Sequence, residues 1–170
     1  MKLKILRHIS GLTGLCGALL LAAWQPVAAD VGHGALTGTW LVTVQQYDCA
    51  SDASLGLPFQ SFLTFAADGT LIESTANAAF APGQRGPGHG FWERSGHDSY
   101  RAVSEAFILF TTPAHGPVPE FDAGVQRIDQ NVEYDGGATF TADAAVSFRD
   151  PSGTVLRSGC ARASGTRLHG

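Results

Sequence analysis

Apolar and polar residues alternate along most of the chain, and the apolar ones do not recur at the spacing of a helix. Glycine and Asp-Gly turns interrupt this alternation at short intervals. The pattern predicts an all-β protein without a helix of three turns, although a short helix is possible within 48–57 or 76–80. The predicted strands are 36–46, 58–66, 70–75, 89–94, 100–111, 121–134, 138–149 and 154–167.

The connections between the predicted strands are of two kinds. Tight turns join strands two to three, four to five and six to seven, at 68–69, 96–97 and 135–137. Longer connections fall at the opposite end, at 47–57, 76–88 and 112–120, where only 150–153 is short. We therefore expect one eight-stranded antiparallel up-and-down β-barrel with a closed end and a mouth. Loops on such a rigid barrel are where binding groups usually lie.

The two ends of the chain are suited to lie side by side. If the first strand pairs with the last, Trp40 lies opposite Arg167, and nearly the same register brings Cys49 to Cys160. A disulfide between these cysteines would close a loop of about 110 residues, which contributes on the order of 4.7 kcal/mol by the chain-entropy argument. Because disulfides persist in oxidising compartments, this pair indicates an exported protein.

The first residues have the composition of a targeting signal. A basic start is followed by an apolar run over 9–23 and by the small residues of 27–29. The apolar run is shorter than the roughly 20 residues that a spanning helix needs. We expect a signal peptide over 1–29 and a single barrel domain over 30–170, located in the periplasm or secreted.

The expected mature chain is acidic. Residues 30–170 contain eight arginines, no lysine and fifteen acidic residues, a formal charge of −7. No basic run is interleaved with aromatic residues, so nucleic acid is not an expected partner. His89, His115 and Asp48 all belong to the predicted mouth but share no metal-ligand spacing, and we expect neither a metal nor a cofactor.

The Gly38-Thr39-Trp40 sequence, together with Arg167 near the end of the chain, resembles the lipocalin signature. This resemblance implies a calycin-like barrel whose closed end is plugged by Trp40, with the guanidinium of Arg167 stacked on the indole. The predicted loop pattern places both residues at that end. Allene oxide cyclase-like barrels have a similar shape and are the nearest alternative, and the chain also resembles small exported bacterial proteins.

The loop of residues 80–90 is rich in glycine and proline and lies at the predicted mouth. Its prolines restrict the backbone and its glycines permit close approach, so Arg85 and His89 can be held in one geometry. Arg85 is suited to bind a carboxylate, and His89 to donate a hydrogen bond or transfer a proton. The alternative is an ordinary turn in which Arg85 is solvated and His89 bonds a backbone carbonyl.

Strands four and five leave two face assignments open. A two-residue turn at 96–97 pairs His89 with Ser104 and Glu93 with Tyr100. The assignment we favour then points one set of side chains into the barrel, namely His89, Phe91, Glu93, Tyr100, Ser104 and Ile108. The other assignment fills the barrel with Trp92, Val103, Phe107 and Leu109. The apolar face left outside would suit contacts in a homo-oligomer.

Three functions are compatible with these patterns. The first is binding of a small apolar or amphipathic molecule, with Phe80, Arg85, His89, Phe91 and Ser104 as the predicted ligand contacts. The second is an isomerase or cyclase of the allene oxide cyclase kind, with candidate catalytic residues His89, Glu93 and Tyr100. The third is a structural or inhibitory protein that displays its loops to another protein. We favour the binding protein, since no acid and base pair can be placed from the sequence.

Overall fold

A computed structural model describes residues 34–116 and 118–169. Its strands are β1 Gly38–Tyr47, β2 Ser54–Phe65, β3 Thr70–Thr75, β4 Gly88–Arg94, β5 Ser99–Ile108, β6 Gly124–Tyr134, β7 Thr139–Arg149 and β8 Val155–Arg167. Consecutive strands pair antiparallel, and β8 returns to β1 to close the barrel. The predicted all-β up-and-down barrel is confirmed, and the described residues contain no helix. The predicted signal peptide, 1–29, lies outside them.

The seam between β1 and β8 has one continuous register. It begins with Trp40 opposite Arg167 and ends with Tyr47 opposite Cys160. Just beyond this last pair, Cys49 forms a disulfide with Cys160, with a Cα–Cα distance of 5.4 Å. The disulfide therefore joins the two edges of the barrel at the end where the long loops lie.

The closed end is filled by Trp40 and its neighbours. The buried indole donates a hydrogen bond from Nε1 to the carbonyl of Leu36 at 2.9 Å. The guanidinium carbon of Arg167 lies 4.2 Å from the centre of the Trp40 ring. The same guanidinium donates hydrogen bonds to the carbonyls of Ala35 and Thr37, which fixes the chain that enters β1. This end of the barrel is sealed by packed rings and by the hydrogen bonds of Trp40 and Arg167.

Aromatic rings fill the half of the interior next to the closed end. The largest side chains of this core are Trp40, Phe65, Trp92, Tyr100 and Phe140. Phe140 packs edge-on against Trp40, with ring centres 5.0 Å apart, and it lies directly on Gly165 of β8. A side chain at Gly165 would collide with that ring. Farther up the same strand, Ala161 and Ala163 line open space. The small residues of β8 thus allow close packing near the closed end and leave open space nearer the mouth.

The predicted register between β4 and β5 is wrong by one residue. The amides of Ser95 and Gly96 both donate to the carbonyl of Ser99, at 2.9 and 3.0 Å, so the turn contains three residues instead of two. Glu93 consequently pairs with Arg101, one position away from the expected partner Tyr100. Because successive side chains alternate between the two faces of a strand, a register shift of one residue turns each β4 side chain to the face opposite the one that we favoured.

The shifted register produces an arrangement that neither face assignment anticipated. Trp92 of β4 points into the core, as in the alternative assignment. Tyr100 and Ser104 of β5 are also inside, as in the favoured one. His89, Phe91 and Glu93 lie on the outer surface. β2 also differs, since it begins at Ser54 inside the expected 47–57 connection, which excludes a helix there.

Candidate functional site

A cavity occupies the half of the barrel nearer the mouth. Its volume is about 60 Å³, counted as the space that the centre of a water molecule can occupy. Most of its wall is apolar, and the side chains that provide this wall are Val42, Val44, Phe59, Leu63, Phe80, Ile128, Ala144, Val146, Ala161 and Ala163. This composition is typical of a small-molecule site, where an apolar wall contains a few polar groups that fix orientation.

Glu73 and Arg85 form an ion pair inside this cavity. Their side chains are only 6% and 4% exposed, and Nη2 of Arg85 donates to Oε2 of Glu73. Nε of Arg85 donates to Oε1 of Gln126, and Nη1 donates to the carbonyl of Gly86 at 3.2 Å. Gly88 of β4 lies opposite Glu73 of β3, and a side chain at position 88 would collide with the Glu73 carboxylate. The arginine that the sequence suggested as a carboxylate clamp is therefore already paired with a carboxylate of its own chain.

Further polar side chains line the same cavity. Ser61, Ser104 and Gln130 are all less than 7% exposed, and their positions alternate with apolar residues that also point inward. Within the described part of the chain, none of these three side chains forms a hydrogen bond to another protein group. Buried polar groups are costly without partners, so these residues are suited to hydrogen-bond whatever occupies the cavity.

A second pocket lies above the cavity, at the mouth. It has a volume of about 270 Å³ by the same measure, and it shares Gln46, Asn77, Phe80 and Val146 with the inner cavity. Phe80 packs against Phe121 with ring centres 4.6 Å apart, and Phe121 packs against Phe148 at 5.4 Å. The two spaces therefore adjoin each other, and the ring of Phe80 belongs to the wall that they share.

Arg157 covers the aromatic rings of the mouth. Its guanidinium carbon lies 4.5 Å from the ring centres of both Phe121 and Phe148. Burial lowers the pKa of Arg157, and the carboxylate of Asp122 partly offsets this effect. A cation above two ring faces is attracted by their electron density, which holds the rings in place at the entrance.

The connection between β3 and β4 runs across the mouth as a strap, defined here as residues 76–87. Gln84, which is fully buried, fixes it from within. Its Oε1 accepts from the amide of Ala81 at 3.0 Å, and its Nε2 donates to the carbonyl of Phe110 and the hydroxyl of Thr112, at 2.9 and 2.8 Å. The strap also bonds through its backbone to the end of β5. These contacts hold Phe80 over the barrel and Arg85 inside it.

The structure brings together some of the sequence-predicted site residues. Phe80, Arg85 and Ser104 line the interior cavity. His89 and Phe91, also predicted ligand contacts, are exposed on the outside and line neither of the two pockets.

The candidate catalytic residues do not share a site. His89 and Glu93 are exposed on the outer surface, whereas Tyr100 is buried in the core, 5.6 Å from the ring of Trp92. Within the described residues, the Tyr100 hydroxyl is sealed from the cavity and has no hydrogen-bond partner.

The sequence reasoning missed Glu73, Gln126 and Gln130. Each of them occupies an inward position of an alternating strand, in phase with an apolar residue two positions away, such as Leu71 for Glu73 and Ile128 for both glutamines. A polar residue in the apolar phase of a strand is the signal that would have identified them, because such a side chain must be buried with its polar group.

No group of three or more His, Cys, Asp or Glu side chains within 34–116 and 118–169 is placed to hold a metal ion. No helix in that part of the chain is long and apolar enough to cross a membrane. The outer faces of β2, β3 and β4 carry the half-exposed Phe62, Ile72 and Phe91. Contacts in a homo-oligomer remain a prediction for this surface.

These features define a class of protein: a closed eight-stranded antiparallel β-barrel, consistent with the calycin-like shape, sealed at one end and hollow near the other. No protein-family model matches the chain, and no curated protein matches it with significant similarity.

Proposed function

We propose that this chain is an exported protein that binds a small, mostly apolar molecule inside its barrel. The observation that carries the proposal is the adjoining pair of spaces, an inner cavity and a mouth pocket, above a sealed barrel base. Apolar walls supply the driving force for such binding, and the few inward polar groups supply orientation. The disulfide between Cys49 and Cys160 is compatible with export.

The lipocalin resemblance supports the same function. The contact of Arg167 with the ring of Trp40 at the closed end supports a barrel with one plugged end, and Phe80 of the strap lines both the inner cavity and the mouth pocket. The cyclase alternative relied on His89, Glu93 and Tyr100, which lie on different sides of the barrel wall. No observation favours it over binding.

Binding of the neutral apolar dye N-phenyl-1-naphthylamine to residues 30–170 tests the proposal, since its fluorescence rises in apolar surroundings. Ala144 lines the cavity, and its neighbour Ala145 is exposed on the outer surface. We expect saturable binding that Ala144→Phe abolishes and that the matched control Ala145→Phe leaves unchanged. Equal dye binding by both variants would locate the dye outside the barrel and contradict the proposal. No binding to the wild type would favour a structural or inhibitory protein.

A further inference from the structure

The inner cavity contains polar groups that the protein itself does not satisfy. Gln130 and Ser104 are 5% and 1% exposed, and Ser61 is similarly buried. Across the described residues, the buried side-chain atoms that are both sealed and without a hydrogen bond are Tyr100 Oη and Arg149 Nε. The polar atoms of Ser61, Ser104 and Gln130 are not among them, so these atoms face the cavity. A ligand that buries them must offer hydrogen bonds in return.

The charges in the cavity are already balanced. Arg85 donates to Glu73, to Gln126 and to a backbone carbonyl, and the pair is excluded from solvent. A ligand carboxylate placed beside them would be repelled by Glu73, and a ligand cation would be repelled by Arg85. Burying either one without a free counter-charge is costly. The site is therefore suited to a neutral polar group.

The available polar groups determine the hydrogen-bonding character of that ligand. The carboxamide of Gln130 has both donors and an acceptor, and the two serine hydroxyls can donate and accept. These three side chains can satisfy a group that also donates and accepts, such as an amide or an alcohol. A pure hydrocarbon would leave them without partners.

The dimensions of the two spaces fix the orientation of the ligand. The inner cavity, with about 60 Å³ of centre-accessible space, holds a few water-sized groups. This is enough for a small polar head and its first carbons. The larger pocket beyond Phe80, lined by Leu55, Phe121 and Phe148, then holds the apolar remainder.

From these observations we infer that the ligand is an amphipathic molecule with a neutral head that both donates and accepts hydrogen bonds. The head lies against Gln130, Ser104 and Ser61, and the apolar tail extends past Phe80 into the mouth. The Glu73–Arg85 pair excludes carboxylates and cations from the same position. This inference rests on the proposed binding function and names the chemical class of its ligand.

Displacement of N-phenyl-1-naphthylamine by four eight-carbon compounds tests the inference with the unmodified protein. We expect octanamide and octan-1-ol to displace the dye at concentrations about tenfold lower than octanoate or octylammonium at pH 7.5. Equally effective displacement by octanoate would overturn the assignment of a neutral head. It would leave the binding function itself intact, because the dye would still be bound inside the barrel. Absence of dye binding would contradict both the binding function and the assignment of a neutral head.

Two variants locate the head group. Gln130→Leu removes a cavity hydrogen-bonding group, whereas Asn131→Leu changes the next residue, which is exposed on the outer surface. We expect Gln130→Leu to weaken octanamide binding about tenfold, and Asn131→Leu to leave the binding of octanamide and of the dye unchanged. Glu73→Gln frees Arg85 and should strengthen octanoate binding by about tenfold. Unchanged octanamide binding in folded Gln130→Leu protein, judged by circular dichroism, would contradict the inference.

Discussion

Breaking the Glu73–Arg85 pair should be among the most damaging changes in the barrel. Both side chains are almost completely buried, and Arg85 has three hydrogen-bond partners inside the protein. Removing one member leaves the other charged and buried, which typically costs about 3–5 kcal/mol. A domain of this size has a free energy of unfolding of about 5–15 kcal/mol, so Glu73→Leu or Arg85→Met should consume a large part of it. The melting temperature should fall by roughly 10–20 °C.

A double-mutant cycle separates the interaction of the pair from the burial of each residue. We expect the double variant to be more stable than additive behaviour predicts by about 2 kcal/mol or more, because the apolar replacements leave no unpaired charge. The free energy of unfolding can be measured by urea titration with the fluorescence of Trp40 and Trp92 as the probe, with the disulfide intact.

The chain provides a matched control on its outer surface. Arg101 and Asp129 form an ion pair at 2.6 Å with both side chains substantially exposed. The same double-mutant cycle on Arg101 and Asp129 should give only a small coupling energy, because solvent weakens exposed ion pairs. If the changes at Glu73 and Arg85 add within about 0.5 kcal/mol, the buried pair does not interact energetically and the reasoning is refuted.

Three other predictions follow from separate parts of the structure. Replacing Cys49 and Cys160 together by serine should lower the free energy of unfolding by on the order of 4 kcal/mol, because the disulfide closes a loop with a sequence separation of 111; equal calorimetric stability would contradict this. Gln84→Met should cost about 1–3 kcal/mol for its lost buried hydrogen bonds and should accelerate amide hydrogen exchange in the strap; unchanged exchange there would show that Gln84 does not fix it. The Thr139 hydroxyl and the Gly137 amide lower the pKa of Asp135 in the folded state, so this residue stabilises the fold above the pKa of the unfolded state. The stability difference between wild type and Asp135→Ala should shrink as pH falls below about 4, and a difference constant over pH 2–7 in denaturation curves would exclude this role.

Several features of the fold could be predicted because they depend on neighbouring residues. The alternation of apolar residues and the turns at 68–69 and 135–137 predict the antiparallel hairpins. The register between the first and last strands predicts the seam that closes the barrel. The face of β4 could not be obtained in this way. Phe91 and Trp92 are both large and apolar, so only the length of the turn decides which one is buried. That length depends on the carbonyl of Ser99, which accepts from two amides at once.

The sequence by itself therefore determined the closed barrel, its sealed end and the cysteines that join its edges, since alternation and turn chemistry act between residues close along the chain or paired in register. Only the tertiary structure decided what fills the barrel. Glu73 and Arg85 come from a strand and from the strap that crosses over it, and Gln130 comes from the opposite wall. Their meeting depends on the path of the strap, which is fixed by buried contacts among distant residues and not by any local pattern.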